Sequence, residues 1–420
     1  MLVGMADTFM VAALGEEAIS GVTLINILEF FIMSLTAALS SGGGVVISQY
    51  LGAKMHDEAE LAAGQSTLVT LLFSAGVTAL ALVFHEELLR LLYGSVAPGV
   101  MQAADTYLLI AACSVPTIAI HQSCSVMFRA VNAAKLSLAA VLTINICNIL
   151  GNYLAVYVLH AGVSGVAWAT VLARAAGNVL LLYFALRPGY GLHLSAATVC
   201  RWHAATIRKI LQVAVPNAVE NGLFAAGKVM MTAIVALFGT TQMAANAVAN
   251  TFQITAIFVI NAMNLGIVPV VGQCVGAGDY AQARYYIKKL LRISYIATAV
   301  LAALSCAAML PALPYYNISR ETAELTVLLV VMHNIAAFLL QPICFNLPNA
   351  LRAAGDVRYT MYAGIGSMLI FRLGVAVALG IWLDWQIIGV WLAMAADWLA
   401  RALLFVYRYR SGKWQQYRLV

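Results

Sequence analysis

Long apolar runs, separated by short polar segments, fill this chain from one end to the other. Read for length and punctuation, they predict membrane-spanning helices near residues 1–14, 18–50, 62–83, 106–130, 135–159, 162–185, 206–238, 243–275, 286–310, 324–350, 357–381 and 385–408. A helix needs about 20 residues to cross a hydrocarbon core of ~30 Å. The first predicted span is shorter than that and the others are not. The expectation is that the chain lacks the start of its first helix.

The pattern repeats. LGEEAISGVTLINILEF…VVISQYLGAK, from residue 14, aligns with FGTTQMAANAVANTFQI…PVVGQCVGAG, from residue 238, at a constant shift of 224. Gly15 meets Gly239, Asn26 meets Asn250, Gln49 meets Gln273, and Gly52-Ala53 meets Gly276-Ala277. Gly165-Val166 meets Gly389-Val390 at the same shift. Between the copies lies RPGYGLHLSAATVCRWHAATIRK, the longest polar interruption. The predicted organisation is a six-helix lobe over 1–186, a cytoplasmic linker over 187–205, a second six-helix lobe over 206–408 and a cytoplasmic tail over 409–420. Six spans per copy give both copies one orientation, as in parallel-repeat transporters. The fold class expected is an all-α membrane protein of twelve transmembrane helices, in two pseudo-symmetric lobes around a central cleft.

Charge supplies the orientation. Of the 23 Lys and Arg residues, 17 fall in one set of loops and the tail, and two, Arg90 and Arg320, in the other set. The remaining four, Arg174, Lys228, Arg372 and Arg401, lie within spans. By the positive-inside rule both termini are cytoplasmic. The same distribution explains the net charge of +6 without nucleic acid. Composition agrees: 63% of residues are hydrophobic and 10% charged, against about 25% charged in a soluble domain. Seven scattered cysteines show no metal spacing or disulfide framework, and the seven histidines form no ligand cluster. There is no G-x-x-x-x-G-K-[ST] loop and no H-E-x-x-H or Ser-His-Asp arrangement, so an enzyme or a direct ATP motor is not expected.

The run ADTFMVAALGEEAISGVTLIN, with VISQYLGAK and VVGQCVGAGDYAQAR, resembles the multidrug and toxic compound extrusion (MATE) family along nearly the whole chain. The resemblance implies export of organic, often cationic, small molecules in exchange for Na+ or H+, with no other cofactor. It also implies a multi-pass protein of the cell membrane, here the bacterial inner membrane, working among lipids as a monomer. The related lipid-linked oligosaccharide flippases share the two-lobe plan and are the alternative.

Several polar residues stand where hydrocarbon would penalise them. Asp7 lies in the first apolar stretch, where a carboxylate costs ~2.5–3.5 kcal/mol on insertion scales. It reads either as a surface residue or as a cation-binding or protonatable group. Asn145, Asn148 and Asn152 recur on one face of the fifth span, either for interhelical hydrogen bonding or for an ion. In the family's sodium-site pattern, an aspartate on helix 1, an Asn-x-x-x-Asp pair on helix 5 and a threonine on helix 6 converge. The resemblance therefore implies a Na+ or H+ site at Asp7, Asn148 and Thr170. Position 152 departs from the pattern as Asn152, which removes one negative charge. In the second copy, Glu220 and Lys228 are eight residues apart on the seventh span and share a face. They and the eighth-span stripe that includes Asn246, Asn250, Gln253, Asn261 and Asn264 are candidates for the second-lobe cleft. Asp397 and Arg401 are spaced to pair structurally. Arg129 and Arg352 are expected to cap helices or meet lipid phosphates.

The loop charges make a testable topology. Lys54, Lys135 and Arg358 are expected inside, and Glu16, Arg90 and Arg320 outside. Single cysteines labelled in intact cells with an impermeant reagent check this. Labelling at position 135 but not at 320 would overturn the orientation.

Overall fold

The computed structural model describes residues 10–94 and 96–420, without the side chains of residues 254–256. Every regular element among the described residues is helical. In chain order the α-helices are α1 (Glu16–Gly52), α2 (His56–Val83), α3 (His85–Tyr93), α4 (Pro98–Ala112), α5 (Val115–Ala130), α6 (Ala134–Tyr153), α7 (Gly162–Ala185), α8 (Ala196–Cys200), α9 (Ala204–Ala236), α10 (Thr240–Gly276), α11 (Tyr280–Ala312), α12 (Arg320–Gln341), α13 (Leu347–Ala353), α14 (Val357–Ser367) and α15 (Gln386–Arg410). Eleven spans long and apolar enough to cross a membrane lie among the described residues, when α4 and α5 count as one bent span. The expected span 1–14 falls almost wholly outside the described residues.

The bend between α4 and α5 is 48° and has a local cause. Pro116 has no N–H to give the carbonyl of Ala112, and the missing bond favours a kink there. Thr78 Oγ1 donates to that freed carbonyl at 3.0 Å, and a buried orphan acceptor is avoided. Reading for apolar runs missed α3 and α8. The sequence of α3, HEELLRLLY, is amphipathic and buries Leu89 alone, so its charges hide it from a hydropathy window.

The chain forms two compact units: residues up to 47 with 55–214, and residues 48–54 with 215–420. The segment 187–205, expected as a linker, is folded onto the first unit. Leu192 and Leu194 are buried. Gln65, from α2, donates to the carbonyls of Thr198 (2.8 Å) and Arg201 (2.6 Å) and accepts from the His203 N–H (2.9 Å). The expected tail is likewise held, with Trp414 fully buried in the second unit.

The repeat is visible element by element. Helices α1 and α10 begin at Glu16 and Thr240 and end at Gly52 and Gly276, 224 apart at both ends. Within the second unit, the last turn of α1 (residues 48–54) meets the last turn of α10. A Cβ on Gly52 would overlap the Gln273 carbonyl, and one on Gly276 the Gln49 carbonyl. Gln49, fully buried, donates to the Ala353 carbonyl at 2.8 Å and accepts from the Leu419 N–H at 2.9 Å. The paired Q-x-x-G-A segments thus have a packing role: glycine admits the facing backbone, and the amide satisfies buried main chain.

Gly52→Val should destabilise the protein by ~1–3 kcal/mol through overpacking, read as a lower midpoint in a detergent thermal melt. Gly76→Ala is the control, because a Cβ there meets nothing within 4 Å. Equal midpoints for the two variants would refute the close crossing.

Candidate functional site

Helices α6 and α7 carry the first polar cluster. Asn152 Nδ2 donates to Asn148 Oδ1 at 3.4 Å, and Asn148 Nδ2 donates to Thr170 Oγ1 at 3.2 Å. Thr170 Oγ1 donates back to the Val166 carbonyl at 3.1 Å, within its own helix. The three residues expected to act together, apart from Asp7, are therefore one hydrogen-bonded chain. Asn145, on the same face, makes no hydrogen bond to another described residue. Asp7 lies outside the described residues.

One turn beyond Thr170, Arg174 reaches α1. Its two amino groups donate to Glu29 Oε1 (2.9 Å) and Oε2 (2.7 Å), and the first also donates to Ser114 Oγ (2.5 Å). A further turn on, Asn178 Nδ2 donates to the Thr117 carbonyl at 2.8 Å. Thr170, Arg174 and Asn178 recur every four residues, so α7 shows a polar stripe inward on an otherwise apolar helix. The Glu29–Arg174 pair escaped the sequence because its members lie 145 residues apart. The only clue was that each is a charge inside an apolar run, and such charges need partners.

The second unit contains a cavity of about 330 Å³. Lys228 on α9, Asn250 and Gln253 on α10, Arg372 in the π-helical turn Met368–Gly374, and Trp391 on α15 line it. Three of the four residues expected at the second-lobe cleft are thus brought together. Glu220 is not among the lining. It is 6% exposed and bound to Arg352 Nη2 at 2.6 Å. Arg352 also donates to Asn349 Oδ1 (3.2 Å) and Thr360 Oγ1 (3.3 Å). Glu220 is thus turned to Arg352 and not to the cavity that Lys228 lines, and Arg352, expected at lipid phosphates or a helix end, holds Glu220. The sequence shows each charge but not that Glu220 and Arg352, 132 residues apart, meet.

Behind Arg372 lies a buried acid. Asp397 Oδ1 accepts from Arg401 Nε and from Ser367 Oγ, both at 2.8 Å, and Asp397 Oδ2 stands 3.3 Å from Arg372 Nε. Arg401 also donates to the Gly364 carbonyl at 3.0 Å and stacks over Phe224 at 4.0 Å. The expected Asp397–Arg401 pair forms, with a second arginine added. The Asn246 amide oxygen accepts from Trp391 Nε1 at 3.1 Å and fixes the indole at the cavity wall. Asn264, from the same expected stripe, turns elsewhere and accepts from Asn346 at 2.7 Å.

The MatE family model matches residues 1–154 and 216–378. An uncharacterized transporter, YisQ, of Bacillus subtilis is 24% identical over 422 residues, covering 99% of this chain and 91% of its own. The probable multidrug resistance protein NorM of Thermotoga maritima is 23% identical over 420 residues, covering 99% and 89%. A crystal structure described as MATE in the bent conformation superposes with a TM-score of 0.90 at 18% identity, covering 99% of this chain and 92% of that one.

Breaking a buried ion pair strands a charge and costs ~3–5 kcal/mol, whereas replacing both partners by apolar residues is often neutral. Arg174→Met alone is expected to lower the melting midpoint strongly. Glu29→Met with Arg174→Met should recover most of that loss. Additive losses in the double-mutant cycle would mean that the two side chains are not coupled.

Proposed function

The chain belongs to the MatE family, and from that premise we propose that it exports organic small molecules against their gradient in exchange for Na+ or H+. It is a multi-pass membrane protein and its relatives are transporters, not enzymes. The observation that carries the exchange is the hydrogen-bonded chain Asn152, Asn148, Thr170 inside the first unit. Hard cations are held by oxygen, and this chain offers amide and hydroxyl oxygens on adjoining turns of α6 and α7. Asp7 contributes the negative charge that such a set lacks. With Asn at position 152, Asp7 is the one carboxylate of the proposed site, so a single Na+ or a single proton neutralises it.

Coupling follows from the cost of charge. A bare carboxylate is disfavoured in the apolar interior, and either a cation or a proton relieves it. Export then needs only that relief from one side of the membrane alternate with release to the other. Both termini lie on the cytoplasmic side, in keeping with the loop charges. The names of the curated relatives favour multidrug export over the flippase alternative.

The test is export by the full chain in proteoliposomes under an imposed Na+ gradient or an imposed pH gradient, with ethidium-like and carboxylated dyes as trial substrates. Asp7→Asn keeps the shape but fixes the charge at zero, so gradient-driven export is expected to stop while the melting midpoint stays put. Asn152→Asp should increase dependence on Na+. Wild-type export by Asp7→Asn would sink the assignment.

A further inference from the structure

The cavity of the second unit has a charge that the proposed exchange does not use. Two cations, Lys228 and Arg372, line it, and no acid does among the described residues. Asp397, the carboxylate paired with Arg372, is fully buried and already held by Arg401 at 2.8 Å. Lys228, Arg372 and Arg401 bring three positive charges and Asp397 one negative, leaving an excess of two. Glu220 cannot offset it, being bound to Arg352. The Lys228 ammonium has no ion-pair or hydrogen-bond partner among the described residues. Arg372 Nε has an ion-pair partner but no hydrogen-bond acceptor in line. Unoffset charge in an apolar bundle calls for a counter-charge, and a guanidinium beside an ammonium is the set that holds oxyanions.

The repeat explains how this arose. At the shift of 224, cavity residues Met231, Asn250, Gln253 and Met394 stand at the positions of Asp7, Asn26, Glu29 and Thr170. The second copy has neither acid of that set. It also has one residue more in the span that carries Arg372. Ala134 and Val357, which open α6 and α14, differ by 223, while His160 and Asp384, past the ends of the same spans, differ by 224. An inserted residue in a helix is absorbed as a π turn, and the turn Met368–Gly374 carries Arg372. The first copy is regular α-helix at the matching place, where Asn148 stands.

We infer that this cavity is the seat of the anionic group of an exported organic acid. Lys228 and Arg372 take the carboxylate or sulfonate oxygens, and the Asn250 and Gln253 amides donate beside them. Trp391, Met231, Met394 and Val235 hold the apolar body. The volume of about 330 Å³ is at the small end of small-molecule sites, so the ligand is one or two rings, not a lipid-linked sugar. The comparison of the copies rests on the cation site proposed above; the cavity's charge does not.

Binding of 2-naphthoate to the purified full chain, by titration calorimetry without any gradient, tests the site. The neutral isostere 2-naphthamide and inorganic phosphate are the comparison ligands. Naphthoate is expected to bind at least tenfold more tightly than naphthamide, and Lys228→Gln and Arg372→Gln should each weaken it by about tenfold or more, the worth of one charged hydrogen bond. Arg372→Gln leaves Asp397 with Arg401; if it nevertheless fails to fold, Lys228→Gln and Lys228→Glu, both at the cavity wall, decide alone. Equal affinity for naphthoate and naphthamide, or unchanged affinity in the Lys228 variants, would overturn the inference. So would phosphate binding as tightly as naphthoate, which would mean that the site reads charge without an organic body. Because no gradient is applied, a failure of ion coupling leaves these outcomes intact, and naphthoate binding without transport counts against the exchange alone.

Discussion

A charge inside an apolar bundle has to be answered, by a partner in the bundle or by what the bundle binds, and the paired interior charges of both units follow from this constraint. Glu29 is answered by Arg174, Glu220 by Arg352, Asp356 by Arg408 at 2.6 Å, and Asp397 by Arg401 and Arg372. All but the Asp397–Arg401 pair, which lies within α15, tie elements distant in sequence: α1 to α7, α9 to α13, and the chain around α14 to α15. Such pairs roughly break even as stabilisers, yet losing one member is costly. Their effect is therefore on which faces turn inward. An α7 rotated by half a turn would strand both Arg174 and Asn178 in lipid, so the polar stripe sets the helix's orientation more firmly than its apolar residues do.

Apolar residues cannot set it, because lipid tails are as apolar as leucine and the hydrophobic effect between helices is weak in a membrane. Close approach takes over. Gly52 and Gly276 let the last turns of α1 and α10 come into backbone contact, and Gln49 satisfies main-chain groups of Ala353 and Leu419 at the same spot. The strongest sequence signature of the chain is thus a packing signature. It identifies the family without touching either candidate site.

The same division explains what the sequence alone revealed. Span positions were legible to within several residues, because hydropathy and length are one-dimensional: 162–185 was expected and α7 is Gly162–Ala185. The small amphipathic α3 was not, since its glutamates dilute its leucines. Nor was the docking of residues 187–205, which depends on Gln65, more than 130 positions away. Asn148 and Thr170 were legible as partners through the family pattern, and Lys228, Asn250 and Gln253 as polar residues that needed somewhere to face. The cavity's sign was not. It comes from Arg372, which reads in sequence as one more arginine in a span, and from Glu220 being occupied by Arg352, a tertiary pairing across 132 residues.

Duplication lets one copy change its chemistry while the fold stays in register. An inserted residue would normally rotate everything after it by about 100° around the helix axis, since each turn holds 3.6 residues. A π turn absorbs it locally. After the turn at Met368–Gly374 the second unit returns to the spacing of the first, so that α15 starts at Gln386 where α7 starts at Gly162, 224 earlier. Both of those residues have positive φ, +49° and +59°. Gln386 tolerates a conformation natural to glycine, which shows how strongly the loop geometry before the last helix of each copy is retained. The side chains inside the bulge are the ones free to take a new direction, and Arg372 is among them. A fold held by glycine crossings and paired charges can in this way place a cationic cavity in one unit alone, while the last long helix of each copy keeps its spacing of 224.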